Sequence, residues 1–188
     1  ITIVAQDWGG PISALMAARS PDRIHGAVFA NTAIRPPSGS IRVTPFHRFS
    51  NLPILSDLVF KGLNFPVPVM HKVQGDPASI GKFERRAYAW PLRSWRDRAT
   101  SLALARMVPT HLGHPTVAAL EEVGHWAGSF SGPVELVWGK RDPILGPALK
   151  GMRGLFPTAP VTETGAGHFL QEEVPEELAH AILRVVRG

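Results

Sequence analysis

Cysteine is absent from the 188 residues, which excludes disulfide frameworks, thiolate metal sites and a cysteine nucleophile, and with them redox chemistry on the chain itself. Long apolar runs are missing too. No stretch reaches the roughly 18–20 residues that a membrane span needs, and no basic segment leads into an apolar signal region, so the expectation is a soluble, cytoplasmic protein. Tyrosine occurs once, at Tyr88. Charged residues make up 19% of the chain against 44% hydrophobic, a balance that excludes wholesale disorder and allows a domain with a sizeable core.

Acidic residues are scarce in one region only. The chain carries 20 Lys and Arg against 15 Asp and Glu, net +5; residues 35–110 hold 12 basic and 4 acidic residues, and the remainder 8 and 11. A basic excess raises the question of a nucleic-acid partner. Its densest run, Lys82, Arg85, Arg86, Arg93, Arg96 and Arg98, has no nucleic-acid motif beside it and reads as a solvated helix face rather than a phosphate-binding stripe. Neither nucleic acid nor membrane is expected as a partner.

Against these absences stands a clear periodic pattern at both ends of the chain. Ile1 to Gln6 reads as a buried strand that opens without an initiator methionine, as a fragment would. A turn at Asp7-Trp8-Gly9-Gly10, a helix from Pro11 to about Arg19 and a second apolar strand from Ile24 to Asn31 complete a βαβ unit with parallel strands. After His114-Pro115 the alternation resumes. A helix to about Trp126, a strand at Val134–Trp138, a helix from Pro147 to Phe156, a strand at Pro160–Thr164, a Gly165–His168 loop and an amphipathic helix from Pro175 to Val186 follow. Between them, Pro36 to Pro115 holds ten of the 18 prolines together with many Phe and Leu residues, which predicts an inserted, mostly helical subdomain acting as a lid over one α/β layer.

Three candidate catalytic residues fall at equivalent points: Asp7 after the first strand, Asp142 after the third, His168 after the fourth. Parallel sheets build sites outside the carboxyl ends of their strands, so all three can converge on one rim. The chain order nucleophile, acid, base is that of a nucleophile elbow followed by its partners, with aspartate where serine usually stands. A carboxylate can displace a leaving group from saturated carbon to give an ester, which water activated by His168 then hydrolyses while Asp142 orients the imidazole. Asp142 precedes Pro143 and by itself could be an ordinary turn aspartate. The glycines flanking the His168 loop and the strand end Trp138-Gly139 favour the catalytic reading.

Gln6-Asp7-Trp8-Gly9-Gly10-Pro11, Phe29-Ala30-Asn31-Thr32, Trp138-Gly139-Lys140-Arg141-Asp142 and Gly165-Ala166-Gly167-His168-Phe169-Leu170-Gln171-Glu172-Glu173 together resemble the haloalkane dehalogenases and their close α/β-hydrolase relatives. The resemblance extends over nearly the whole chain and implies an α/β class, the α/β-hydrolase fold, with the C-terminal half of a mostly parallel sheet and an inserted helical cap. On this reading residues 1–34 form the first part of the core with the nucleophile elbow, 35–112 the cap, and 113–188 the second part carrying acid and base. The resemblance makes Asp7 the nucleophile, His168 the base, Asp142 the acid and the Trp8 indole N–H a halide donor, with the Trp8 backbone N–H in the oxyanion hole. The substrate it implies is a small apolar halogenated molecule, the products alcohol and halide, with no cofactor or metal expected. Asn31 stands at the earlier of the family's two acid positions, so Asp142 serves as the acid. In that family the second halide donor is either a cap tryptophan or an asparagine after an early strand; the segment 36–89 has no tryptophan, so the resemblance implies the asparagine version, expected upstream of Ile1.

Epoxide hydrolases share the elbow aspartate but use a pair of cap tyrosines, whereas this chain has only Tyr88. A serine esterase fits less well, because Ser13 lies inside the following helix. An inactive truncated fragment, with Ile1–Gln6 as an exposed apolar edge, is the alternative from outside enzymology. His111 and His114 sit in a loop without a second ligand type, and Trp90 and Trp95 either line the lid or pack within it, packing being the expected role.

Overall fold

The computed structural model describes residues 1–188. Four strands, β1 (Thr2–Gln6), β2 (Gly26–Ala30), β3 (Val134–Gly139) and β4 (Val161–Thr164), form one sheet in the order β1-β2-β3-β4. All three pairings are parallel, with Gln6 opposite Ala30, Ala30 opposite Val137 and Gly139 opposite Thr164. The two inner strands are buried along their whole length. Covered on both faces, they read as continuous apolar runs rather than as an alternation.

Helices supply that cover. Alternate residues Ala27 and Phe29 of β2 and Leu136 and Trp138 of β3 share one face, packed with Ala14 and Ala17 of α1 (Gly9–Arg19), Val123 and Trp126 of α6 (Pro115–Ser129) and Met152 of α7 (Leu149–Leu155). Val28, Ala30 and Val137 point to the opposite face, against Ala181 and Val185 of α8 (Pro175–Arg187). The period-two alternation of Cβ direction divides the core in this way. Glu135 interrupts the apolar run of β3, and its buried carboxylate is held in a two-pronged contact by Arg184 Nε and Nη2 at 2.5 and 2.7 Å.

β1 differs from the buried strand read from its sequence. It ends the strand order, and although Ile3 and Ala5 are buried, Val4 is 47% exposed. Helix α1 also begins two residues earlier than expected, at Gly9. Pro11 then takes the third helical position, where a missing N–H still costs no intrahelical bond.

The chain divides into two compact units, one of residues 1–36, 73–76 and 118–188, the other of 37–72 and 77–117. The second contains the short helices α2 (Pro45–Ser50), α3 (Leu55–Asp57), α4 (Lys82–Ala89) and α5 (Ala99–Arg106), around Phe60, Leu102 and Ala105 with Phe49 and Phe65 against them. Its basic residues do not form one helix face. Lys82, Arg85 and Arg86 lie on α4, whereas Arg93, Arg96 and Arg98 follow it. Arg98 donates to the backbone carbonyls of Leu92, Lys61, Gly62 and Arg93, and Arg106 to Ser50 O, Ser56 Oγ and Asp57 Oδ2. With few regular ladders, this unit uses arginine forks to satisfy the carbonyls of its irregular segments. Trp90 and Trp95 do not pack inside it. They are 66% and 51% exposed, with Arg93 and Lys61 over their rings at 4.2 and 5.7 Å, an amphipathic arrangement in which the indole keeps its contact with water. No helix is long and apolar enough to cross a membrane.

Candidate active site

Each of the four strands ends in a polar residue of the site: β1 leads into Asp7, β2 into Asn31, β3 towards Asp142 and β4 towards His168. Parallel register makes this convergence unavoidable, because the carboxyl ends of all four strands lie on one edge. Asp7 and Asn31 both have positive φ, 47° and 31°. Asp and Asn are the side-chain-bearing residues most tolerant of that region, and such strain collects at functional sites.

The turn after β1 is locked from several sides. Asp7 N donates to Asn31 O at 3.1 Å, Gly10 N to Asp7 O at 3.1 Å, and Thr32 Oγ1 to Asp7 O at 2.6 Å. A Cβ at Gly10 would fall on the Thr32 hydroxyl, so only glycine lets α1 start this close to the end of β2. Burial pushes the Asp7 carboxyl above its ordinary range; attraction to His168 and the Trp8 backbone N–H oppose the shift, and the Asp142 charge adds to it. The Trp8 side chain is half-buried beside it.

Asp142 is 3% exposed and all its acceptor capacity is used. Oδ1 accepts from the backbone N–H groups of Ile144 and Leu145 at 2.7 and 3.1 Å. Oδ2 faces His168 Nδ1 at 2.9 Å and accepts from Asn31 Nδ2 at 2.7 Å. The turn aspartate and the histidine partner are thus the same residue, one role per oxygen. Burial works to raise its pKa, but the hydrogen bond and charge of His168 and the two turn amides outweigh it, leaving the carboxyl below its ordinary value.

His168 is 5% exposed, and its second ring nitrogen, Nε2, lies 3.9 Å from Asp7 Oδ2. The structure therefore brings Asp7, Asp142 and His168 into one constellation with the imidazole between two carboxylates. At 3.9 Å the Asp7 contact is too long for a direct hydrogen bond, whereas the Asp142 contact is one. Ser13 is not in the site; its hydroxyl donates back to Gly9 O at 2.6 Å within α1.

Sequence reasoning underrated Asn31. Beyond Asp142, its amide donates to Gly139 O and Gly167 O at 3.2 and 3.3 Å, and its Oδ1 accepts from Gly139 N at 2.7 Å, so it ties β2 to both neighbouring loops. Gln6, in sequence one residue of the elbow motif, donates through Nε2 to His168 O at 3.0 Å. Polar residues at the two strand ends were the available signal. Gln74, which pairs with the backbone of Phe169, gave none, since it falls in the proline-rich middle of the sequence.

The model of the alpha/beta hydrolase fold family matches residues 1–175, and the chain belongs to that family. Within that family it is similar to haloalkane dehalogenases, among others. It is 31% identical over 186 residues to haloalkane dehalogenase 1 of Mycobacterium tuberculosis, covering 97% of this chain and 59% of that protein. A cis-3-alkyl-4-alkyloxetan-2-one decarboxylase of Shewanella oneidensis is 28% identical over 182 residues, 95% of this chain and 57% of its own. The solved structure of haloalkane dehalogenase DatA from Agrobacterium tumefaciens superposes with a TM-score of 0.81 at 25% identity, over 99% of this chain and 66% of that one. The chain thus spans about three fifths of the length of the curated relatives it matches.

Proposed function

We propose that this site hydrolyses the carbon–halogen bond of haloalkanes in two steps, by way of an ester on Asp7. The observation that carries the reading is the imidazole of His168, hydrogen-bonded through Nδ1 to Asp142 at 2.9 Å and with Nε2 3.9 Å from the Asp7 carboxylate. An Asp7 oxygen attacks the halogen-bearing carbon, and the electron pair of the broken bond leaves with the halide. The indole N–H of half-buried Trp8, the residue after Asp7, is a donor suited to that anion. Water then adds to the ester carbonyl, giving its proton to His168 Nε2; the alcohol leaves as the Asp7 carboxylate is restored, and the imidazolium releases its proton to solvent. Asp142 fixes the tautomer that leaves Nε2 free to accept and stabilises the imidazolium. The first step needs no base; the second needs the histidine.

The similarity to haloalkane dehalogenases supports the substrate class. The test is halide release from 1-bromohexane by the full chain, together with the same incubation of His168→Ala followed by mass spectrometry of the peptide containing Asp7. Halide release by the native protein and a hexyl adduct on Asp7 in the variant are expected. No adduct and no halide, with carbon dioxide and alkene formed from a cis-3,4-dialkyloxetan-2-one, would overturn the reading in favour of lactone decarboxylation.

A further inference from the structure

The loop that carries His168 belongs to no helix or strand, so something outside regular secondary structure must fix the imidazole. From the sheet side Asn31 holds Gly167 O and Gln6 holds His168 O. On the other side lies Val73-Gln74-Gly75-Asp76, four residues that belong to the first unit although the sequence on either side of them belongs to the second. His168 N donates to Val73 O at 2.9 Å. Gln74 exchanges two hydrogen bonds with Phe169, accepting from its N–H at 2.8 Å and donating to its carbonyl at 3.1 Å.

Glu173 closes this arrangement. Its Oε1 accepts from Gly167 N at 2.9 Å and Gly75 N at 3.0 Å, and its Oε2 accepts from Asp76 N at 2.8 Å. Three backbone amides from two separate segments converge on one carboxylate, and charge-assisted bonds of this kind are roughly twice as strong as neutral ones. The two backbones approach so closely that a Cβ on Gly167 would meet Val73 O and one on Gly75 would meet Gly165 O. An amide could not replace the carboxylate, since its NH2 group would face a donor.

We propose that Glu173 is a positioning residue for His168, and that with Gln74 it clips segment 73–76 to the loop so that Nε2 is held at its working distance from Asp7. The inference rests on the two-step reading of the site and goes beyond it by assigning a group that touches neither substrate nor reacting atoms. Because the first step needs no base and His168 acts in the second, loosening the clip slows ester hydrolysis and leaves ester formation intact. Misplacement of a catalytic group by about 1 Å can cost on the order of 100-fold in rate.

The experiment uses the full chain carrying Glu173→Gln or Gln74→Leu, with 1-bromohexane as probe. Rapid-quench mass spectrometry of the Asp7 peptide gives the rates of ester formation and decay. The expected result is a fall of about tenfold or more in decay with formation changed less than about twofold. Equal loss in both steps, or no loss in either, overturns the proposal. A second measurement is independent of the chemistry: the NMR resonance of the His168 Nδ1–H proton, held against Asp142, should move and exchange faster with water in both variants. If the native protein releases no halide, the haloalkane reading has failed, and this resonance still decides the clip. An unchanged resonance, or failure of both variants to fold, overturns it.

Discussion

Asn31 Nδ2 and His168 Nδ1 meet the same oxygen of Asp142, at 2.7 and 2.9 Å, so the buried amide of Asn31 shares the charge that orients the imidazole. Asn31→Ala would leave Gly139 N without its acceptor and put a side chain with no local hydrogen bond at φ 31°. A loss of about 2–4 kcal/mol is expected, the sum of an unsatisfied buried amide and left-handed strain. Urea unfolding of the two proteins measures it.

The depressed pKa of Asp142 has a definite sign in stability. Its carboxylate is favoured in the folded state, so its contribution is fully present above the unfolded value of about 3.9 and is lost as pH falls through the lower folded value. Asp142→Asn should therefore cost about 2 kcal/mol at pH 6, with the difference from the native protein shrinking steadily towards pH 2. Denaturant unfolding across that range tests the claim, and a difference independent of pH would refute it.

Asp7 has the opposite sign. With its folded pKa raised chiefly by burial, the folded state binds the proton more tightly than the unfolded chain, and stability declines as pH rises from the unfolded value through the folded one. Asp7→Asn removes that cost and keeps a residue type that accepts φ 47°. The expected outcome is a higher melting temperature at pH 7, no gain at pH 3, and complete loss of adduct formation.

Gly10→Ala tests the closeness of α1 to the end of β2. The added methyl must displace Thr32, whose hydroxyl holds Asp7 O. Overpacking of this kind costs about 1–3 kcal/mol. Since both changes act on one contact, the double variant with Thr32→Ala should be less destabilised than the two single effects added together, and thermal melts of the four proteins check it.

Much of the core was legible because its signals are local. β2 announces itself as a continuous apolar run and β3 as one broken only by Glu135, and the turn after β1 and the His168 loop carry Gly10 and Gly167, where close approach leaves no room for a Cβ. The proline-rich middle was less legible. Its basic residues read as a surface face, yet Arg98 and Arg106 are spent on carbonyls and on a carboxylate that only folding brings near them. Trp90 and Trp95 read as packing residues because hydrophobicity says nothing about which side chains the turns between two short helices leave in water.

The sequence by itself determined the class of fold and put Asp7, Asp142 and His168 in order after the first, third and fourth strands, since strand periodicity and turn chemistry are written in neighbouring residues. The tertiary structure alone decided how far apart those groups stand, which oxygen of Asp142 serves the turn and which the histidine, and that Asn31, Gln74 and Glu173 bear on the same loop. These are contacts between residues 95 to 111 positions apart in two cases, Gln74 with Phe169 and Asn31 with Asp142. Hydrogen bonds over such separations depend on strand register and on the path of the returning chain, which no local pattern of residues encodes.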